Sequence, residues 1–142
     1  MNRREKLLQT KRFRVDSLRR QVTTLGAMAG DVERKLADLE EAIARERQRA
    51  NDSSMGRLAL PSVLRAMDER RDNLNATLRE IGRERAQVEL ELDKTSGEVR
   101  NVEMEVEQAS NRAAEASLSR QRMPLHELAL ARQLRRHALR QI

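Results

Sequence analysis

The sequence has no cysteine, tryptophan or tyrosine, and Phe13 is its only phenylalanine. Without cysteine the chain can form neither a disulfide nor a thiolate site. A compact globular core usually gains much of its buried area from aromatic side chains, so their near absence argues against such a core. Charged residues make up 37% of the sequence. The remaining alternatives are intrinsic disorder and an apolar seam buried between long helices.

Long apolar runs are also missing. The basic residues 1–6 are not followed by an apolar segment, so we expect neither a signal peptide nor a transmembrane span. The formal net charge of +6 favours anionic partners such as nucleic acid, lipid headgroups or acidic protein surfaces. With a length of 142 residues, a cytoplasmic protein with one domain-sized body is the simplest prediction.

A heptad pattern decides between disorder and helix. Steps of alternately three and four residues from Leu8 to Ala50 meet 13 positions, of which 11 are apolar. The same steps from Leu60 to Met123 meet 19 positions, of which 15 are apolar. A sustained 3.5-residue period is typical of coiled-coil helices, and a disordered chain would not keep it for about 60 residues.

Polar and turn-forming residues separate the two seams. Residues 51–56 (NDSSMG) interrupt the pattern, Pro61 suits a first helical turn, and Ser62 is a capping candidate. We therefore predict a coiled-coil domain over residues 1–123, with a helix over about 4–50, a turn over 51–61 and a helix over about 61–123. Pro124 is predicted to kink or restart the helix, and residues 124–142 to form a basic amphipathic helical tail.

The short connection sets the direction of pairing. Two seams joined by so few residues can pair within one chain only in the antiparallel sense, with partner residue numbers adding to about 110. Charge agrees, because residues 1–20 hold eight basic and two acidic side chains, whereas residues 89–107 hold seven acidic and two basic. The predicted fold is all-α: a long antiparallel two-helix coiled-coil hairpin with a C-terminal overhanging helix.

Patterns of catalytic and metal-binding residues do not occur in the sequence. His126 and His137, the only histidines, are too far apart on a helix to share a metal. There is no P-loop and no Gly-x-Gly-x-x-Gly motif, and a pair of helices offers no pocket for an acid–base pair. We predict no enzymatic activity, no catalytic residue, no metal site and no cofactor.

Three stretches resemble a known family. Residues 7–16 (LLQTKRFRVD), 19–22 (RRQV) and 70–74 (RRDNL) are similar to the FliJ proteins of α-proteobacterial flagella. The resemblance implies a non-enzymatic, cytoplasmic component of the flagellar type III protein export apparatus, peripheral at the flagellar base on the inner membrane. It implies a stalk-like antiparallel coiled coil whose terminal end enters the ring of the export ATPase FliI. Further implied partners are the export gate FlhA and export chaperones, with no nucleic acid and with membrane contact only through partners.

The resemblance also implies contact residues. The family's gate contact corresponds to Leu39, Ile43, Val63 and Met67, and three of these lie in the seams and so have a core explanation as well. The predicted ATPase contact is a basic surface at the two chain ends, and a solubilising tail is the alternative explanation for its C-terminal part. The basic residues are Arg3, Arg4, Lys6, Lys11, Arg12, Arg132, Arg135, Arg136 and Arg140.

Two other functions remain open from the sequence alone. A basic coiled coil associated with nucleic acid or a membrane would use the arginine-rich tail, although no aromatic residues are interleaved there for base stacking. A structural homo-oligomer would need only the seams. Salt titrations against DNA and anionic vesicles test the first alternative, and a concentration-dependent mass by light scattering tests the second.

Overall fold

The structure, a computed structural model, describes residues 1–140, which form two α-helices and no strand. Helix α1 comprises Arg3–Ala50 and helix α2 comprises Ser54–Arg140. Gln141 and Ile142, the last residues of the predicted tail, lie outside the described residues. The protein is therefore all-α over the described range, and its two helices are compatible with a hairpin.

Side chains cap the N-termini of both helices. Asn2 Oδ1 accepts a hydrogen bond from the Glu5 amide at 2.9 Å, and Glu5 Oε2 accepts one from the Asn2 amide at 3.1 Å. This reciprocal pair is a capping box at the start of α1. Ser53 Oγ accepts a hydrogen bond from the Gly56 amide at 2.9 Å, which satisfies one of the free amides at the start of α2.

The limits of α2 differ from the predicted ones at two prolines. Between the two helices only residues 51–53 are non-helical, because Ser53 caps α2 well before Pro61. The predicted turn of residues 51–61 is therefore too long, and Pro61 lies inside α2. Of the two outcomes predicted for Pro124, the restart is wrong, since α2 continues to Arg140, and the kink stays a prediction. A proline removes one backbone hydrogen bond, and the flanking helical turns maintain the helix across both positions.

The chain divides into two compact units. One comprises Lys11–Gly97 and is called the 11–97 unit here. The other, the terminal unit, comprises Met1–Thr10 together with the residues of α2 from Glu98 onward. The described part of the predicted tail, residues 124–140, belongs to the terminal unit.

Apolar side chains of both helices form the core of the 11–97 unit. Leu25 and Val32 of α1 and Ile81 of α2 are buried in one cluster. Leu18 is completely buried, with 0% of its surface exposed. Burial of such side chains contributes roughly 1.5–3 kcal/mol each, so this cluster is the main source of stability in the unit.

Ion pairs also join the helices of the 11–97 unit. Arg14 Nη2 lies 2.6 Å from Glu91 Oε1, and Arg71 Nη1 lies 3.5 Å from Glu40 Oε1. Arg71 occupies a seam position, so its stem packs in the seam while its guanidinium group reaches a carboxylate at the surface. The contact nearer the start of α1, at Arg14, thus reaches further along α2 than the contact nearer the end of α1, at Glu40.

The burial of the seam positions changes along α2. All 13 seam positions from Leu8 to Ala50 in α1 are buried or half-buried. In α2 the positions from Leu60 to Ala109 are also buried or half-buried, except for Arg85. Every residue of 111–140 is exposed. We call residues 111–140 the exposed α2 segment.

Candidate partner-binding surfaces

The predicted ATPase-contact residues of α1 fall into two groups. Arg3, Arg4 and Lys6 are exposed on the first turns of α1 and belong to the terminal unit. Lys11, which is half-buried, and Arg12, which is exposed, belong to the 11–97 unit. Both already take part in interactions within the protein. Arg3, Arg4 and Lys6 are therefore the more accessible part of the cluster.

The other predicted ATPase-contact residues lie near the end of α2. Arg132, Arg135, Arg136 and Arg140 are all exposed, and none of them forms an ion pair with another residue of 1–140. Glu127 is the only acidic residue between positions 124 and 140. These four arginines are thus available to an anionic partner.

The arginines near the end of α2 lie far along the helix from its last packed residue. Ala109 is the last described residue of α2 that is not exposed, and Arg132 follows it by 23 residues. At about 1.5 Å per residue, this stretch of helix spans on the order of 35 Å. Every residue of 111–140 is exposed, so the N-terminal segment does not bury any side chain of the exposed α2 segment. Along α2 the four arginines near its described end are thus well separated from its packed part, and the single basic surface at the two chain ends stays a prediction.

The four predicted gate-contact residues differ in accessibility. Leu39 and Ile43 are only 7% and 5% exposed, so their side chains serve the core of the 11–97 unit. Val63 and Met67 are half-buried. Val63 also lines a cavity of about 360 Å³ beside the turn. A partner can reach Val63 and Met67 in part, whereas Leu39 and Ile43 are used for packing.

An exposed apolar pair lies at the start of α2. Met55 and Leu58 are 82% and 83% exposed, and their spacing places them on one face of the helix. The sequence carries a signal for this pair, because two large apolar residues occur outside the heptad seam in a segment interpreted as a turn. Exposed apolar groups of this kind are candidate contacts for a partner.

An exposed aromatic side chain and a shallow cavity occur along α1. Phe13, the only aromatic residue, is 70% exposed, and Met28 is 46% exposed. Aromatic side chains are enriched among the residues that dominate binding energy, so an exposed Phe13 is a candidate anchor. A separate cavity with a volume of about 410 Å³ is lined by residues of α1 and by one residue of α2: Ser17, Arg20, Gln21, Thr24, Leu25, Met28 and Glu84.

The described residues offer contact surfaces and no assembled metal centre. Within residues 1–140 there is no group of three or more His, Asp and Glu side chains placed to hold a metal ion. Over the same range neither helix contains an apolar stretch that could cross a bilayer. Comparison with models of protein families, with curated proteins and with solved structures found no match to this chain.

Proposed function

We propose that the protein is a non-enzymatic coiled-coil component of the flagellar type III export apparatus, of the FliJ type. It acts as a stalk in the ring of the export ATPase FliI and contacts the export gate FlhA and export chaperones. It works in the cytoplasm, at the flagellar base on the inner membrane. The observation that carries the proposal is the seam of 13 buried or half-buried positions in α1, which begins within the FliJ-like residues 7–16.

The proposal includes an antiparallel coiled-coil hairpin with an overhanging second helix. The residue numbers of the Arg14–Glu91 and Glu40–Arg71 pairs add to 105 and 111, close to the predicted register. Ion pairs in this order along the two helices support antiparallel pairing. The exposure of every residue of 111–140 supports the overhang.

Disulfide crosslinking tests the hairpin. The chain has no cysteine, so Leu18→Cys combined with Leu92→Cys introduces the only two thiols. Oxidation should link them within one chain, giving a monomer of altered mobility on a non-reducing gel. Gln87→Cys or Thr95→Cys in place of Leu92→Cys checks for a register shift of about one helical turn. Crosslinks that form only between chains would overturn the hairpin.

The arginines near the end of α2 support the ATPase contact. They are exposed, have no ion-pair partner in the described chain and are nearly free of acidic neighbours. Folding does not require four such charges on one short stretch. An acidic or polar lumen of an ATPase ring would complement them, because opposed surface charges fix orientation and speed association.

A charge-removal series tests this contact. Replacing Arg132, Arg135, Arg136 and Arg140 with Ser should weaken co-sedimentation with the export ATPase at low salt. The difference should shrink at high salt, because screening already removes the attraction. Helix content by circular dichroism should barely change. A matched control removes four exposed arginines that have no ion-pair partner within residues 1–140: Arg47, Arg57, Arg65 and Arg70.

Two results would reject the ATPase assignment. In one, the tail variant binds and stimulates the ATPase as well as the parent does at low salt. In the other, the control variant loses as much binding as the tail variant, which means that the ATPase responds only to net charge. Loss of binding in the tail variant alone supports the stalk.

A nucleic-acid- or membrane-associated coiled coil is the second candidate function, and the same arginines favour it. Binding to DNA or to anionic vesicles that persists at physiological salt would support this alternative over the stalk. The absence of aromatic residues from α2 counts against recognition of single-stranded bases. A structural homo-oligomer would appear instead as a mass that rises with concentration in light scattering.

A further inference from the structure

The heptad seam of α2 continues beyond the point where its packing ends. Ala109 is half-buried and belongs to the packed part of the seam. The same steps of three and four residues lead onto the exposed α2 segment, and five of the next seven positions are apolar. These seven positions, all exposed, are Ala113, Ala116, Arg120, Met123, Glu127, Leu130 and Leu134.

A continued heptad seam indicates a surface that can pack against another helix. A 3.5-residue repeat keeps one face of a helix turned toward a partner helix over many turns. The small side chains of Ala113 and Ala116 permit close approach of a partner backbone. Met123, Leu130 and Leu134 provide the larger apolar area further along. The packed interface of the terminal unit thus runs directly into an unoccupied one of the same periodicity.

The charge of the exposed α2 segment favours an acidic partner. Residues 111–140 contain seven arginines and two glutamates, and none of the arginines forms an ion pair within the described chain. Arg120 lies in the seam. Arg112, just before residues 113–134, and Arg140, six residues after them, occupy positions that face a partner helix in a coiled coil. A second copy of this segment would bring the same positive charge, so the segment does not complement itself.

The distribution of apolar residues disfavours a lipid surface as the occupant. A helix that lies in a membrane interface carries its large apolar residues on one face. Here Leu118 and Leu125 lie on the far side of the helix, about 140° from Met123 and Leu130 at 3.6 residues per turn. All four side chains are well exposed, with values between 48% and 69%. The large apolar residues of this segment therefore lie on two sides of the helix and do not form the single apolar face of a membrane-surface helix.

We propose that residues 113–134 form a docking surface for one amphipathic helix of another protein, with an apolar seam and acidic flanks. The added helix would extend the interface that ends at Ala109. Arg132 and Arg136 of the proposed ATPase contact lie on the side of α2 opposite Leu134, whereas Arg140 is common to both surfaces. The apolar seam itself contains none of the ATPase-contact arginines, so the variants below test it separately from the export function.

A designed peptide provides the test against the full chain. The probe is a labelled synthetic helix of about four heptads with Leu at the seam positions and Glu at the flanking positions. A second peptide with Lys at the flanking positions is the charge control. In fluorescence anisotropy the Glu peptide should bind, and the Lys peptide should bind at least about tenfold more weakly.

Matched variants locate the binding site. Met123→Glu with Leu130→Glu places two acidic groups in the seam and should weaken Glu-peptide binding by more than about tenfold. Leu118→Glu with Leu125→Glu makes the same charge change, at the same spacing and similar exposure, on the far side. It should weaken binding by less than about threefold, since only the general charge changes.

Each other outcome overturns the proposal. Equal loss in both variants would mean charge attraction without a seam. An unchanged affinity in Met123→Glu/Leu130→Glu would place the peptide elsewhere. Self-association that this variant alone abolishes, measured by sedimentation, would make a second copy the occupant. Anionic vesicles that bind the parent and release only this variant would make the occupant a lipid surface.

Discussion

Helix α2 contains the same heptad pattern in two different states. Up to Ala109 its seam positions are buried or half-buried, with Arg85 as the exception, whereas from Ala113 onward they are all exposed. The lengths of the helices account for this difference, because α1 has 48 residues and α2 has 87. The comparison teaches that periodicity identifies the face a helix can bury, while the presence of a partner decides whether that face is buried.

The largest contrast between the packed and exposed parts is expected from removing one leucine in each. Leu18→Ala should lower the free energy of unfolding by about 2–5 kcal/mol, because it empties a completely buried site. Leu118→Ala should change it by less than about 0.5 kcal/mol, because Leu118 is 51% exposed in the segment that nothing covers. Urea denaturation followed by circular dichroism measures both.

The two leucine variants also test whether the exposed α2 segment is free in solution. If Leu118→Ala destabilises the protein nearly as much as Leu18→Ala, then residues around Leu118 are packed against something, and the division at Ala109 is wrong. A destabilisation by Leu118→Ala that grows with protein concentration would identify that something as a second copy.

The sequence predicts the helical faces better than the helix limits. The seam positions of α1 follow from a simple period, and each of them is buried or half-buried. The start of α2 does not follow in this way, because Pro61 and Ser62 are as compatible with a helix start as Ser53 is. Only the hydrogen bond between Ser53 Oγ and the Gly56 amide distinguishes these candidates, and it depends on local geometry that the sequence does not specify.

Candidate contact residues are harder to predict, because one residue type serves both packing and binding. Leu39 and Ile43 carry the periodic signal of a core and are buried, so the same signal cannot mark them as a gate contact. Met55 and Leu58 lie outside the period and are exposed. Charge is more informative, because the arginines of residues 132–140 have too few acidic neighbours in sequence to be neutralised locally.

Replacing glycine with alanine should have an effect of intermediate size on stability. We expect stabilisation where a Cβ has open space and destabilisation where a Cβ would collide with the helix cap. A Cβ at Gly30 or Gly82 would meet no atom within 4 Å, so Gly30→Ala and Gly82→Ala should each stabilise the protein by about 0.4–1 kcal/mol. A Cβ at Gly56 would lie 2.8 Å from Ser53 Oγ and 3.2 Å from Ala50 Cα. Gly56→Ala should therefore disturb the cap and be less stable than Gly30→Ala by about 1–2 kcal/mol.

Thermal unfolding of the three glycine variants measures this difference. The double variant Gly56→Ala/Ser53→Ala is the control. It lacks the Ser53 hydroxyl, so the Cβ at position 56 no longer collides with Ser53 Oγ. Stabilisation by Gly56→Ala equal to that by Gly30→Ala would mean that Ser53 does not define the start of α2.

The smallest effect is expected for the ion pair between Arg14 and Glu91, which belongs to the packed part of the chain. The two groups are 2.6 Å apart, yet each side chain is 49% exposed, so solvent screens most of the attraction. A double-mutant cycle with Arg14→Ala and Glu91→Ala should give a coupling energy of about 0.2–1 kcal/mol at low salt that falls toward zero at high salt. A control cycle of Arg14→Ala with Asp93→Ala retains the charge change without that contact, and its coupling should be smaller. Equal coupling in the two cycles would mean that Arg14 responds to the general negative charge of this part of α2, and the pair would no longer support the antiparallel register.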